Sequence, residues 1–142
     1  MASLTDLIRS GRLERISADV TAAKEKVKEA RQHLTSAPKI WDDDPEGAYA
    51  LIYDAARKAV DAHLQANGLR VTNRPGAHAA TAEYAEAEWR GTAYETSAER
   101  LDGIRRNRNR TEYGQWHISA SVMKSDLEHA REIVKAVESA LK

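Results

Sequence analysis

Four arginines fall within six residues in the run Arg105-Arg106-Asn107-Arg108-Asn109-Arg110-Thr111-Glu112-Tyr113. Like charges at this density repel, so each guanidinium must stay hydrated or meet an anion. A planar fork of five N–H donors suits phosphate or carboxylate. Asparagine is a poor helix former that favours caps and turns. The run is therefore expected where a helix ends and a loop begins, with its donors presented to an anion. His117 follows shortly after, beside Trp116. Histidine as a residue type suits proton transfer near neutral pH, and arginine suits the charge of a pentavalent phosphate. Asn109 can orient a phosphate, and Tyr113 can donate to one or stack on a base. Together these types suit a phosphate-bearing ligand, with any proton transfer resting on His117.

Each of these residues also has a plainer reading. Arg105 and Arg106 can be solvated, or can favour the negative end of a helix. Glu112 can pair with Arg108 or Arg110 as a surface ion pair of small value. Tyr113 can pack partly into the fold with its hydroxyl exposed, and His117 can be an ordinary loop residue.

Composition narrows the classes. The chain has 142 residues, expected to form a single domain over 1–142 with a real core. Lys and Arg number 22 against 22 Asp and Glu, so the net charge is zero and any anion binding must be local. The absence of cysteine excludes disulfides, thiolate zinc sites and cysteine nucleophiles. No His/Asp/Glu pair has zinc spacing, and Asp42 to Asp44 lack calcium-loop spacing, so neither metal nor cofactor is expected. No run approaches the roughly 20 apolar residues of a membrane span. Met1 to Leu13 lacks an apolar centre and carries Asp6, Arg9 and Arg12, so the expected setting is the cytoplasm.

The elements that must position the arginine run read as helices. Leu13, Ile16, Val20, Ala23, Val27, Ala30 and Leu34 follow a 3-4 spacing, a narrow seam on one long helix. Thr5 with Asp6 would cap it, Ser10-Gly11 would break off a first turn, and Pro38 would stop it. A second helix is expected from Pro45 to Asn67, with Asp44 as N-cap and Gly68 closing it in the left-handed conformation. A third is expected over Ala77 to Arg90, a fourth over Thr92 to Arg106, and a last from Ser119 to Leu141. Tyr84, Trp89, Tyr94, Leu101 and Ile104 are expected in the core or at an interface. No segment alternates with period two, so no sheet is expected. The expectation is an all-α antiparallel bundle of about five helices.

Three segments resemble the HEPN superfamily of small helical bundles. One is the helix Ala48 to Leu64, closed by Asn67-Gly68-Leu69-Arg70. Another is Arg108-Asn109-Arg110-Thr111-Glu112-Tyr113-Gly114. The third is Asp126-Leu127-Glu128-His129-Ala130-Arg131-Glu132-Ile133-Val134. The resemblance implies a HEPN-like fold. It also implies a metal-independent endoribonuclease, acting as a homodimer in a toxin–antitoxin or phage-defence system. The family motif is Arg, a polar residue, a gap, then His. Counted from Arg108 with Asn109, the closing place falls on Tyr113. Counted from Arg110 with Thr111, six intervening residues lead to His117. Glu112-Tyr113 is similar to a branch with an acidic residue and Tyr in place of the His. Arg105, Arg106 and Glu112 would flank the RNA phosphates. A nucleotidyltransferase antitoxin partner would modify a motif tyrosine, here Tyr113. The alternatives are a catalytically inactive HEPN module binding nucleotide, RNA or protein, and a structural bundle that dimerises through the Leu13–Leu34 seam.

Overall fold

The computed structural model describes residues 3–114 and 116–142. The elements among them are α1 (Leu4–Arg9), β1 (Leu13–Arg15), α2 (Val20–Ile40), α3 (Pro45–Ala66) and β2 (Leu69–Val71), then a 3-10 turn (Ala77–Ala79), α4 (Ala80–Glu88), α5 (Glu95–Glu112) and α6 (Ala120–Ala140). The fold is mainly α, a helical bundle with one short two-stranded ladder.

Local chemistry explains the three long helices of the core. The Asp19 carboxylate accepts from the Ala22 amide at 3.0 Å and starts α2. Asp44 does the same for Gly47 at 3.0 Å, with Pro45 pre-set for the first turn of α3. Ser119 accepts from the Val122 amide at 3.2 Å and starts α6. Ala23, Val27, Ala30 and Leu34 of α2 face Ala48, Ile52, Ala55 and Ala59 of α3, all buried. Small residues on both sides bring these helices close, and their contact is the most extensive in the molecule. The α6 stripe Met123, Leu127, Ala130, Val134 and Val137 closes the core against α3, α5 and α2. Each fully buried Ile, Leu or Val contributes on the order of 1.5–3 kcal/mol over an exposed one.

The first expected helix divides. Leu13 and Ile16 sit in step with the α2 seam, but Leu13 lies in β1, paired antiparallel with β2 in the register Leu13↔Val71, Glu14↔Arg70 and Arg15↔Leu69. The expectation of no sheet is therefore corrected. Three residues are too few to show alternation, and the pairing spans a distance in sequence that periodicity does not sense. Ser3, not Thr5, caps α1, in a reciprocal box with Asp6. Pro38 does not end α2, which runs on to Ile40. A proline so near the C-terminus removes a single bond where the helix has little left to support.

Gly68 is required where α3 meets β2. Its φ is +73°, and an added Cβ would stand 2.9 Å from the Ile16 carbonyl oxygen. The Ile16 amide donates to the Gly68 carbonyl at 2.8 Å, extending the ladder.

Candidate functional site

The arginine run lies within α5, not at its junction with a loop, because the helix persists to Glu112. Pairs three and four residues apart stabilise it against its asparagines and its like charges. Asp102 takes Arg105 at 2.9 Å and Arg106 at 3.3 Å, and Arg108 meets Glu112 at 2.9 Å. The 3.6-residue period then sorts the run onto three faces.

The first face points inward. The guanidinium of Arg100 donates to both oxygens of Asp126 on α6, at 2.8 and 3.1 Å. The Tyr49 hydroxyl of α3 donates to the same carboxylate at 2.6 Å, and Asn107 donates to that hydroxyl at 3.3 Å. Asp126 is 1% exposed and Tyr49 fully buried. Burial, then the bond to Asp126, pushes the Tyr49 hydroxyl far up from its ordinary pKa. The bond to Asp126 also raises Arg100. This network ties α3, α5 and α6 together. Gly103 makes room for it, since a Cβ there would stand 2.6 Å from the Arg100 guanidinium.

The second face, Arg105, Arg108 and Glu112, lies toward α3. The Arg108 guanidinium sits 6.0 Å from the Tyr53 ring centroid. It borders an open concavity of about 300 Å³ with Asp44, Glu46 and Glu112. Three carboxylates beside one guanidinium make this hollow unattractive to phosphate. The Arg105 side chain is 16% exposed. Arg105, expected at the RNA phosphates, and Arg108, expected in the catalytic motif, both meet carboxylates of their own chain.

Arg106, Arg110 and Tyr113 form the third face, spaced four and three residues apart and exposed. Arg106 holds Asp102 only loosely. Among the described residues Arg110 has no carboxylate partner and lies 5.3 Å from the Trp116 ring centroid. Trp116 in turn meets Tyr49 edge-on, with centroids 6.4 Å apart. Tyr113 is 76% exposed, which leaves little of the partial packing expected of it. His117 follows Trp116 and is exposed, with no hydrogen bond to a described residue. Asn109 is half-buried, and its carbonyl accepts from the Tyr113 amide at 3.3 Å. The structure thus brings Arg110 to Trp116, beside His117 in the chain, while Arg108 meets Tyr53 and Glu112.

The Tyr49–Asp126–Arg100 network escapes a reading by motif. Its signal was a carboxylate at Asp126 on the apolar stripe of α6, three residues after Met123. A second polar cluster lies at α3 and α4. His63 Nδ1 is 2.7 Å from the Tyr84 hydroxyl, its ring centroid is 5.0 Å from that of Trp89, and Glu88 stands 4.0 Å from its Nε2. Burial lowers the His63 pKa and outweighs the opposing pull of Glu88.

No group of three or more His, Asp or Glu among the described residues is placed to hold a metal ion. No helix of the described residues is long and apolar enough to cross a membrane. Compared with protein-family models, curated proteins and solved structures, the chain matches none.

Proposed function

We propose that this chain binds single-stranded RNA along the outer face of α5, through Arg106, Arg110, Tyr113 and the Trp116–His117 segment. The observation that carries this is Arg110: an exposed guanidinium without a carboxylate partner among the described residues, lying against an indole ring and one helical turn from an exposed tyrosine. Cations that track phosphates, interleaved with rings on which bases stack, are the elements of single-strand recognition. Arg105, Arg106 and Arg108 each meet a carboxylate of the chain, Arg106 with its side chain still 68% exposed.

The test is affinity for a fluorescent oligouridine across a salt series. Arg110→Ala is expected to weaken binding about tenfold and to lower the slope of log K against log salt by about 0.7, the single-strand value for one phosphate contact. Arg108→Ala should leave that slope unchanged. An unaltered slope and affinity in Arg110→Ala would remove this reading.

Cleavage is the second reading, favoured by the accessible His117 next to the ring that Arg110 covers. On the HEPN resemblance the protein would be a metal-independent endoribonuclease of a toxin–antitoxin or phage-defence system. Two copies would join their motifs in one cleft, and Tyr113 would be the residue that a nucleotidyltransferase antitoxin modifies. Its exposure meets the access such a modification needs. Cleavage of total RNA in EDTA, lost in both His117→Ala and Arg110→Ala, supports this activity. Binding without cleavage leaves the module as a binder.

A further inference from the structure

A cavity of about 380 Å³ lies between the α2–α3 turn and the start of α6, lined by Trp41, Asp42, Ile118, Met123 and Lys124 among others. Two features connect it with the ridge on α5. Ile118 is two residues beyond Trp116, and two residues of chain span at most about 7 Å. The ring that Arg110 covers is therefore within two residues of the cavity wall, which is how a strand held at Arg110 would reach it. The walls also differ in kind from the ridge. Trp41 is half-buried against the core, Met123 is 4% exposed, and Ile118 is half-buried, so the floor is apolar. Asp42 and Lys124, both exposed, supply the charges of the rim.

We propose that this cavity takes one base of the bound strand and that the base is guanine. The inference rests on the ridge reading for how the strand arrives. Trp41 supplies a ring for stacking, which alone is indifferent to base identity. Asp42 supplies the discrimination. A carboxylate accepts only, and guanine is the one common base whose Watson–Crick edge offers two adjacent donors, N1–H and the N2 amino group. Lys124 donates only, and guanine places its O6 acceptor beside those donors. Uracil offers one N–H between two carbonyls, and adenine and cytosine each offer an amino donor beside an acceptor nitrogen; each gives the carboxylate one donor where guanine gives two.

Binding of a labelled seven-residue oligouridine is compared with that of the same oligomer carrying one central guanosine. The guanosine oligomer is expected to bind on the order of tenfold tighter, the discrimination of one good two-point contact. Asp42→Asn should abolish that preference while leaving oligouridine affinity within about twofold. Trp41→Ala should weaken the guanosine oligomer to the oligouridine level, with the Asp42 variant guarding against a loss of fold. Equal affinity for the two oligomers in the wild type, or a preference that survives Asp42→Asn, overturns the guanine site while the ridge reading stands. If neither oligomer binds, the ridge reading has failed, and guanosine 5′-monophosphate tests the cavity alone by backbone amide NMR. Shifts confined to residues 118–124 and 41–42 support it, and their absence overturns it.

Discussion

The inner and outer sides of α5 carry the same residue type in opposite circumstances. Inward, Arg100 ends on a carboxylate that is 1% exposed, with a buried tyrosine hydroxyl donating to one of its oxygens. Outward, the Arg106 side chain is 68% exposed and shares Asp102 with Arg105, while Arg110 rests on an indole. What differs is the solvent around the partner. A carboxylate stripped of water needs its cation, because a lone buried charge is far costlier than a lone exposed one. An exposed pair exchanges water for protein at almost no net gain. The inner arginine is thus committed to folding, and the outer ones are left available for a ligand.

The largest break in that comparison is Arg100→Met. It leaves the Asp126 carboxylate with only Tyr49, and stability is expected to fall by about 3 kcal/mol, the low end for an orphaned buried charge because Arg100 is itself partly solvated. Arg106→Ala should stay within about 0.5 kcal/mol. Urea denaturation of both variants measures the contrast, and equal losses would dissolve it.

A smaller perturbation sharpens the point. Alanine in a helix interior is ordinarily about 1 kcal/mol better than glycine. At Gly103 the new methyl would press on the guanidinium that Asp126 holds. Gly103→Ala is therefore expected to cost about 1 kcal/mol despite its better propensity. A gain in stability would mean that Arg100 gives way freely and that the inner network is soft.

The mildest effect concerns the other buried polar cluster. Burial depresses the His63 pKa in the folded state, so the unfolded chain binds the proton first as pH falls. Stability should decline as pH drops below about 6.5, the ordinary histidine value, and on toward the depressed folded one. Tyr84, Glu88 and Asn67 face the ring, and only Glu88 favours the charged form. His63→Gln should flatten that part of the stability profile, measured by denaturation between pH 7 and 5. An unchanged slope would assign the acid sensitivity elsewhere.

Helices with their own start signals were legible from residues alone. Asp44-Pro45 and Asn67-Gly68 bracket α3, and Ser119 opens α6, because caps are local chemistry. The start of α2 was misread because Leu13 and Ile16 continue its stripe by coincidence, while the true marker, Asp19, lies inside that stripe's span. For the site, the run showed that arginines cluster but not which faces they take. The end of α5 was the missing quantity: once the helix reaches Glu112, Arg108 turns to Tyr53 and Arg110 to Trp116. The Asp126 network spans three helices and depends on tertiary approach.

The short ladder has a consequence out of proportion to its length. From Arg12–Thr72 through Ile16–Gly68 to Asp19–Gln65, backbone bonds tie the two strands of chain that enter and leave the α2–α3 pair. The pair is thereby a buckled loop, sealed by the turn at one end and by this clasp at the other. Neither helix can peel outward from its free end without first unzipping the clasp, so fraying there must break these bonds as well as the helix's own.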